Sequence, residues 1–118
     1  MDKIYKTNGI SMKKIKEGKD IYYYNNSNEL HREDGPAIEC DDGRKYWYRN
    51  GLRHREDGPA LEFSTGSKFW YKNGFLHRED GPAVEYADGV KEYWYNGFLC
   101  KEIKTNKELI SFIKSIYN

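Results

Sequence analysis

A chain of 118 residues with 37% apolar and 33% charged side chains has room for one domain but little material for a thick core, so a thin sheet suits it better than a globular interior. Aromatic residues at 16% argue against disorder, and a net charge of +1 leaves no bulk electrostatic pull toward nucleic acid or membrane. The start MDKIYKTNGI lacks an apolar signal core, and no apolar run approaches the roughly 18 residues of a membrane helix, so a soluble cytoplasmic chain without a membrane partner is expected.

In chain order, residues 1–30 read as a degenerate cap repeat. Asn8-Gly9 is a turn, 12–17 a strand, Gly18 a second turn, and 20–25, with Tyr22-Tyr23-Tyr24, another strand. The connector 25–30 has no glycine, so its turn must differ from later ones. The string His-Arg-Glu-Asp-Gly-Pro-Ala then occurs three times, at 31–37, 54–60 and 77–83, with a spacing of 23 residues and no insertion. A fixed period of this size marks stacked repeats, here 31–53, 54–76 and 77–99.

Within a repeat, Asp80-Gly81-Pro82 reads as a turn, which predicts positive φ at Gly35, Gly58 and Gly81. Ala83-Val84-Glu85-Tyr86 has strand alternation. Asp41-Asp42-Gly43, Ser64-Thr65-Gly66 and Ala87-Asp88-Gly89 read as three-residue hairpin loops, because glycine holds the bulge position after a type I turn. That register pairs Glu39 with Lys45, Glu62 with Lys68 and Glu85 with Lys91. A second strand covers 91–95, and Asn96-Gly97 is a two-residue hairpin signal shared with Asn50-Gly51 and Asn73-Gly74. Trp94 falls one position later than Trp47 and Trp70, so either a bulge restores register or Trp94 faces the other side.

The last segment, 100–118, reads as a C-terminal cap. Leu99-Cys100-Lys101-Glu102 echoes Leu76-His77-Arg78-Glu79, and Thr105-Asn106-Lys107-Glu108 is a capping-box signature. Leu109, Ile110, Ile113, Ile116 and Tyr117 follow at helical spacing, which predicts a helix over 105–117. Leu109, Ile110, Ile113 and Ile116 are expected to pack on the final repeat and cover its open edge. Cys40 and Cys100 lie more than two periods apart, too far for a disulfide, and both are expected as free thiols.

Trp70, Asn73, Gly74, His77, Gly81, Asp88 and Gly89 form a pattern that resembles the MORN repeat (membrane occupation and recognition nexus), over residues 20–100. The longer His77-Arg78-Glu79-Asp80-Gly81 corner is similar to the variant MORN-like repeats of bacterial and phage proteins, some of them antitoxins. The resemblance implies an all-β fold: an elongated, antiparallel, single-layer sheet of stacked 23-residue hairpins, here with a short C-terminal capping helix. For function it implies a binding scaffold.

His, Glu and Asp recur three times, which raises catalysis or a metal. Equivalent histidines in neighbouring repeats should sit about 10 Å apart, at two strand spacings, so they cannot share one ion. The corner is therefore read as structural, with His fixing it by hydrogen bonds, Asp capping the turn, and Arg and Glu forming a solvated ladder. Catalytic residues, metal ligands and cofactors are expected to be none. Strand alternation places Trp47 and Trp70 beside Lys45, Arg49, Lys68 and Lys72, as in binders of single-stranded RNA or DNA, but Glu39, Glu62 and Glu85 neutralise that face. The expected function is a non-enzymatic binding module that recognises another protein through a sheet face, an inhibitor in its sharpest form. Alternatives are an antitoxin, a phage or mobile-element protein that blocks a bacterial defence nuclease (anti-CRISPR-like), or a nucleic-acid-binding module. Repeat-specific positions should carry the contact, namely Arg49, Arg53, Lys72, Phe75, Glu92 and Phe98.

Overall fold

The computed structural model describes residues 2–7 and 10–117. The Asn8-Gly9 turn lies outside the described residues. Strands β1 (Asp2–Thr7), β2 (Ile10–Glu17) and β3 (Asp20–Tyr24) form an antiparallel N-terminal meander. The turn between β2 and β3 has only two residues, with Gly18 at φ 60. The connector after β3 does differ from the later tips. Asn25 Oδ1 accepts the amides of Ser27 and Glu29, and Asn28 takes φ 60.

The first repeat supplies β4 (Ile38–Glu39), β5 (Lys45–Tyr46), β6 (Tyr48–Arg49) and β7 (Leu52–Arg53). The second supplies β8 (Leu61–Glu62), β9 (Lys68–Phe69), β10 (Tyr71–Lys72) and β11 (Phe75–Leu76). The third supplies β12 (Val84–Glu85), β13 (Lys91–Glu92), β14 (Trp94–Tyr95) and β15 (Phe98–Leu99). Nine strands make one antiparallel sheet in the order β1-β2-β3-β4-β5-β8-β9-β12-β13. The pairs β6–β7, β10–β11 and β14–β15 stand apart as two-stranded ribbons. The sheet is open, and the chain measures 48 × 33 × 18 Å. Its radius of gyration of 16.2 Å exceeds the roughly 13.5 Å of a compact chain this long.

What reads in sequence as one strand, 91–95, is thus two. The break falls at Trp47, Trp70 and Tyr93. The Trp47 amide donates to Ala60 O (2.7 Å) on the sheet side, while its carbonyl accepts the His54 amide (3.2 Å) on the ribbon side. No bulge accompanies Trp94. Arg78 donates to Trp94 O as Arg55 does to Tyr71 O, so register is unbroken and Tyr93 stands in the tryptophan position. Trp94 accordingly takes the opposite side.

The three-residue loops are as expected. Gly43, Gly66 and Gly89 have φ of 97, 102 and 94, and their amides bond the carbonyls of Cys40, Phe63 and Tyr86. The resulting register aligns Glu39, Lys45, Glu62, Lys68, Glu85 and Lys91 in one row of alternating charge. The opposite face carries Tyr22, Ile38, Tyr46, Leu61, Phe69 and Val84 in register. Ile38, Leu61 and Val84 are buried there. Tyr46, Phe63, Phe69 and Tyr86 meet edge to face at 5.6–6.3 Å between neighbours, a geometry worth about 0.5–1.5 kcal/mol per pair beyond area. Cys40 takes the place of Phe63 and Tyr86, and both cysteines are free thiols.

Helix α1 (Asn106–Tyr117) begins after a formed capping box: Thr105 Oγ1 accepts the Glu108 amide, and Glu108 Oε1 accepts the Thr105 hydroxyl. Its inward face differs from expectation. Leu109 is fully buried and Ile113 half-buried, but Ile110 and Ile116 stay 46% and 48% exposed. The reason is what the helix meets. Tyr93 donates to Asn106 Oδ1, the Tyr95 ring lies edge-on to Phe112 at 5.9 Å, and the Tyr95 and Tyr117 hydroxyls bond each other. These contacts anchor the helix to the final repeat through Asn106, Phe112 and Tyr117, although Phe112 and Tyr117 remain 37% and 70% exposed. Among the described residues, no helix is long and apolar enough to cross a membrane.

Removing residues 105–118 strips the cover from Tyr93 and Tyr95, which are now buried. Thermal melting should drop, and light scattering should show self-association. A truncated chain that stays monomeric with unchanged melting would refute the capping role.

Candidate functional site

Each His-Arg-Glu-Asp-Gly-Pro-Ala corner is wired the same way. The Arg55 guanidinium lies 3.9 Å over the Trp47 ring, Arg78 lies 3.9 Å over Trp70, and Arg32 lies 4.0 Å over Tyr23. Arg55 Nε donates to Asp57 (3.1 Å), and its Nη1 donates to the Pro59 carbonyl (3.0 Å) and to Glu62 (3.3 Å). Arg78 repeats the set on Asp80, Pro82 and Glu85, and Arg32 on Asp34, Pro36 and Glu39. A planar fork with five donors and a π-active face is the one side chain that can do all of this. The expected solvated ladder of corner arginines and glutamates is therefore incorrect: Arg32, Arg55 and Arg78 stack on rings and bond the strand residues Glu39, Glu62 and Glu85, while the corner glutamates Glu33, Glu56 and Glu79 face the histidines. The register of Glu39, Glu62 and Glu85 opposite the lysines is as predicted.

The corner glycines also have a different purpose. Gly35, Gly58 and Gly81 are absent from the positive-φ residues, which contradicts the turn argument. A Cβ at these three positions would lie 3.0, 2.9 and 2.8 Å from the Cζ of Arg32, Arg55 and Arg78. The glycine is there so that the guanidinium can lie flat between it and the ring. The alanine that ends the motif is fully buried at 37, 60 and 83.

Positive φ belongs instead to the tips: Asn50 and Gly51 have φ of 48 and 81, the type I′ pattern, and the later tips match. Each tip is fastened to the preceding corner. The Asn50, Asn73 and Asn96 amides donate to Nδ1 of His31, His54 and His77 at 2.8–2.9 Å. The next amides, at Gly51, Gly74 and Gly97, bond the carbonyls of Leu30, Arg53 and Leu76. A backbone N–H can only donate, so Nδ1 carries the lone pair and Nε2 the proton. Nε2 faces Glu33 at 2.7 Å, Glu56 at 2.6 Å and Glu79 at 3.6 Å. The His54 contact holds the Glu56 carboxyl below its ordinary range, and burial pushes the His77 imidazole down. His31 and His54 are bonded at both ring nitrogens and His77 at Nδ1, so the histidines serve as struts. Among the described residues no three His, Cys, Asp or Glu side chains gather as a metal site.

The sequence-chosen contact residues separate into two groups. Arg49 and Lys72 converge on Glu56, each at 3.7 Å. Arg53 lies 5.3 Å over the Tyr71 ring beside the Tyr48 and Tyr71 hydroxyls, and Glu92 accepts from Trp94 Nε1. Arg49 and Arg53 thereby join the first repeat to the second, while Lys72 and Glu92 are bonded within their own repeats. Phe75 and Phe98 are instead 59% and 77% exposed. Leu52, 50% exposed, completes their row and was missed, although its spacing of 23 after an Asn-Gly pair was the signal. Leu52 leans on Gly74, where an added Cβ would be 3.4 Å away, and Phe75 on Gly97, at 2.9 Å. The row is thus continuous from tip to tip. On the corner side, grooves of about 600 and 480 Å³ lie between successive corners, with Trp47 and Trp70 in their linings.

Comparison with family models, curated proteins and solved structures finds no significant match to this chain.

Gly58→Ala should cost on the order of 1–2 kcal/mol by forcing Arg55 off Trp47. In an Arg55→Ala background the same change should cost only a few tenths, a coupling that a double-mutant cycle measures directly. An equal cost in both backgrounds would show that the backbone, not the arginine, requires glycine.

Proposed function

We propose that this chain is a non-enzymatic module that binds another protein through the hairpin-tip side of its sheet and acts as an inhibitor. The observation that carries the reading is the exposed row of Leu52, Phe75 and Phe98. Apolar side chains contiguous at the surface and bordered by polar ones favour a macromolecular contact. Their repeat is about 10 Å, at two strand spacings. An α-helix places residues seven apart at about 10.5 Å, so a partner helix with apolar residues at that interval fits the row. Arg49 and Lys72 sit across the ribbons from Leu52 and Phe75 and are paired with Glu56, so the row has a polar border. The resemblance to MORN-like scaffolds supports the same reading, in the form of an antitoxin or of a phage protein that blocks a defence nuclease.

The chemistry of the corners supports binding over catalysis, since a backbone amide occupies Nδ1 of each histidine and a glutamate occupies Nε2 of His31 and His54. It also weakens the nucleic-acid reading, because one face of Trp47 and of Trp70 is already covered by arginine.

Affinity capture from the native host tests this with Phe75→Ser/Phe98→Ser beside wild type. A protein held by wild type and by Lys68→Ala, but lost from the double variant at unchanged melting, is the expected result. Equal retention by all three, or capture of nucleic acid that collapses with added salt, would overturn the reading.

A further inference from the structure

We propose that the three buried histidines form a pH-sensitive latch, which fastens the hairpin tips and their apolar row at neutral pH and frees them in mild acid. The inference rests on the tip row as the binding surface. It starts from the Nδ1 atoms of His31, His54 and His77, which accept the amides of Asn50, Asn73 and Asn96 at 2.8–2.9 Å. The rings are only 5–6% exposed, so water cannot readily replace either partner. A second proton on the ring must go to Nδ1, which then points N–H at N–H. Two donors cannot share that contact, so protonation and the amide bond exclude each other. The residue after each latched Asn-Gly pair is Leu52, Phe75 or Phe98.

The groups facing each ring set the balance. His31 meets Glu33 at 2.7 Å, and Glu29 packs at the Gly51 side of the tip. His54 meets Glu56 at 2.6 Å, whose charge is shared with Arg49 and Lys72. His77 meets Glu79 at 3.6 Å and the Tyr95 ring at 4.6 Å, with Lys72 adding positive potential. At His77 burial and Lys72 oppose the imidazolium, while Glu79 favours it. At His77 burial wins and its titration moves below the ordinary 6.5. The folded state then binds fewer protons than the unfolded one, so stability is full above about pH 6.5 and falls as acid protonates the unfolded chain. Glu56, also lowered, adds a loss of the same sign at more acid pH.

The test is NMR on the free chain. At pH 7.5 the ring nitrogens should report the Nε2–H tautomer. Between pH 7.5 and 5 the hydrogen-exchange protection factors of the Asn50, Asn73 and Asn96 amides should fall about tenfold as the rings protonate, the equivalent of one hydrogen bond. The Trp47 and Trp70 amides, bonded to Ala60 and Ala83, should keep theirs. In the His31→Asn/His54→Asn/His77→Asn variant a side-chain oxygen can accept the amide without titrating, and tip protection should be flat. Rings in the Nδ1–H tautomer, flat protection while the wild-type rings titrate, or tip and sheet amides lost together would each overturn the latch. If the variant does not fold, the wild-type titration alone decides. Because no partner enters the measurement, a working latch without tip binding sinks only the proposed function, and tip binding with flat amides sinks only the latch.

Discussion

The fold depends on an arginine laid flat between a glycine and an aromatic ring. A single-layer sheet has no second layer to bury its face, so each repeat must cover the one before it with what its own corner supplies. The guanidinium of Arg55 covers Trp47 and ties Asp57, the Pro59 carbonyl and Glu62 to one point. Removing an arginine from water is costly, but here the charge-assisted hydrogen bonds and the ring offset it. The whole motif can be understood from this contact. Glycine makes room, proline turns its carbonyl to the guanidinium, aspartate orients it, and the histidine beside it fastens the next tip.

The same contact explains how the array ends. At the first corner Arg32 finds Tyr23, because the N-terminal meander presents an aromatic ring in the tryptophan position. At the last, Tyr93 has no following corner, and Cys100 stands in the histidine position with its amide on Tyr93 O. Helix α1 closes over Tyr93 and Tyr95 instead. The cap is thus fitted to the exposed ring of the final repeat more than to its open backbone edge, and this selects which helical residues turn inward.

Shared and repeat-specific residues divide the labour. The invariant corner residues are consumed by internal bonds, and most of the variable cations are spent in the same way: Arg49 and Lys72 clamp Glu56, and Arg53 bridges two tyrosines. What remains outward is short and apolar, the row of Leu52, Phe75 and Phe98 on the tips. Each tip is fastened by one histidine of its own repeat and one carbonyl of the unit before it, so the surface offered to a partner is held by few bonds.

Period, loop register, the Asn-Gly tips and the helix cap were all legible in the sequence. Each is governed by backbone chemistry acting within a few residues: positive φ at glycine after a type I turn, type I′ geometry at Asn-Gly, and reciprocal bonding at Thr105 and Glu108. Tertiary structure alone decided that Gly58 yields space to Arg55, that Glu62 bonds Arg55, that Trp94 leaves its place to Tyr93, and that Ile110 faces out. Those outcomes depend on contacts such as Trp47 to Arg55, between neighbouring repeats, or His54 to Asn73, between the corner and the tip of one repeat. Sequence spacing states that such groups recur. Only the stacking distance between repeats and the direction of each side chain determine which of them touch.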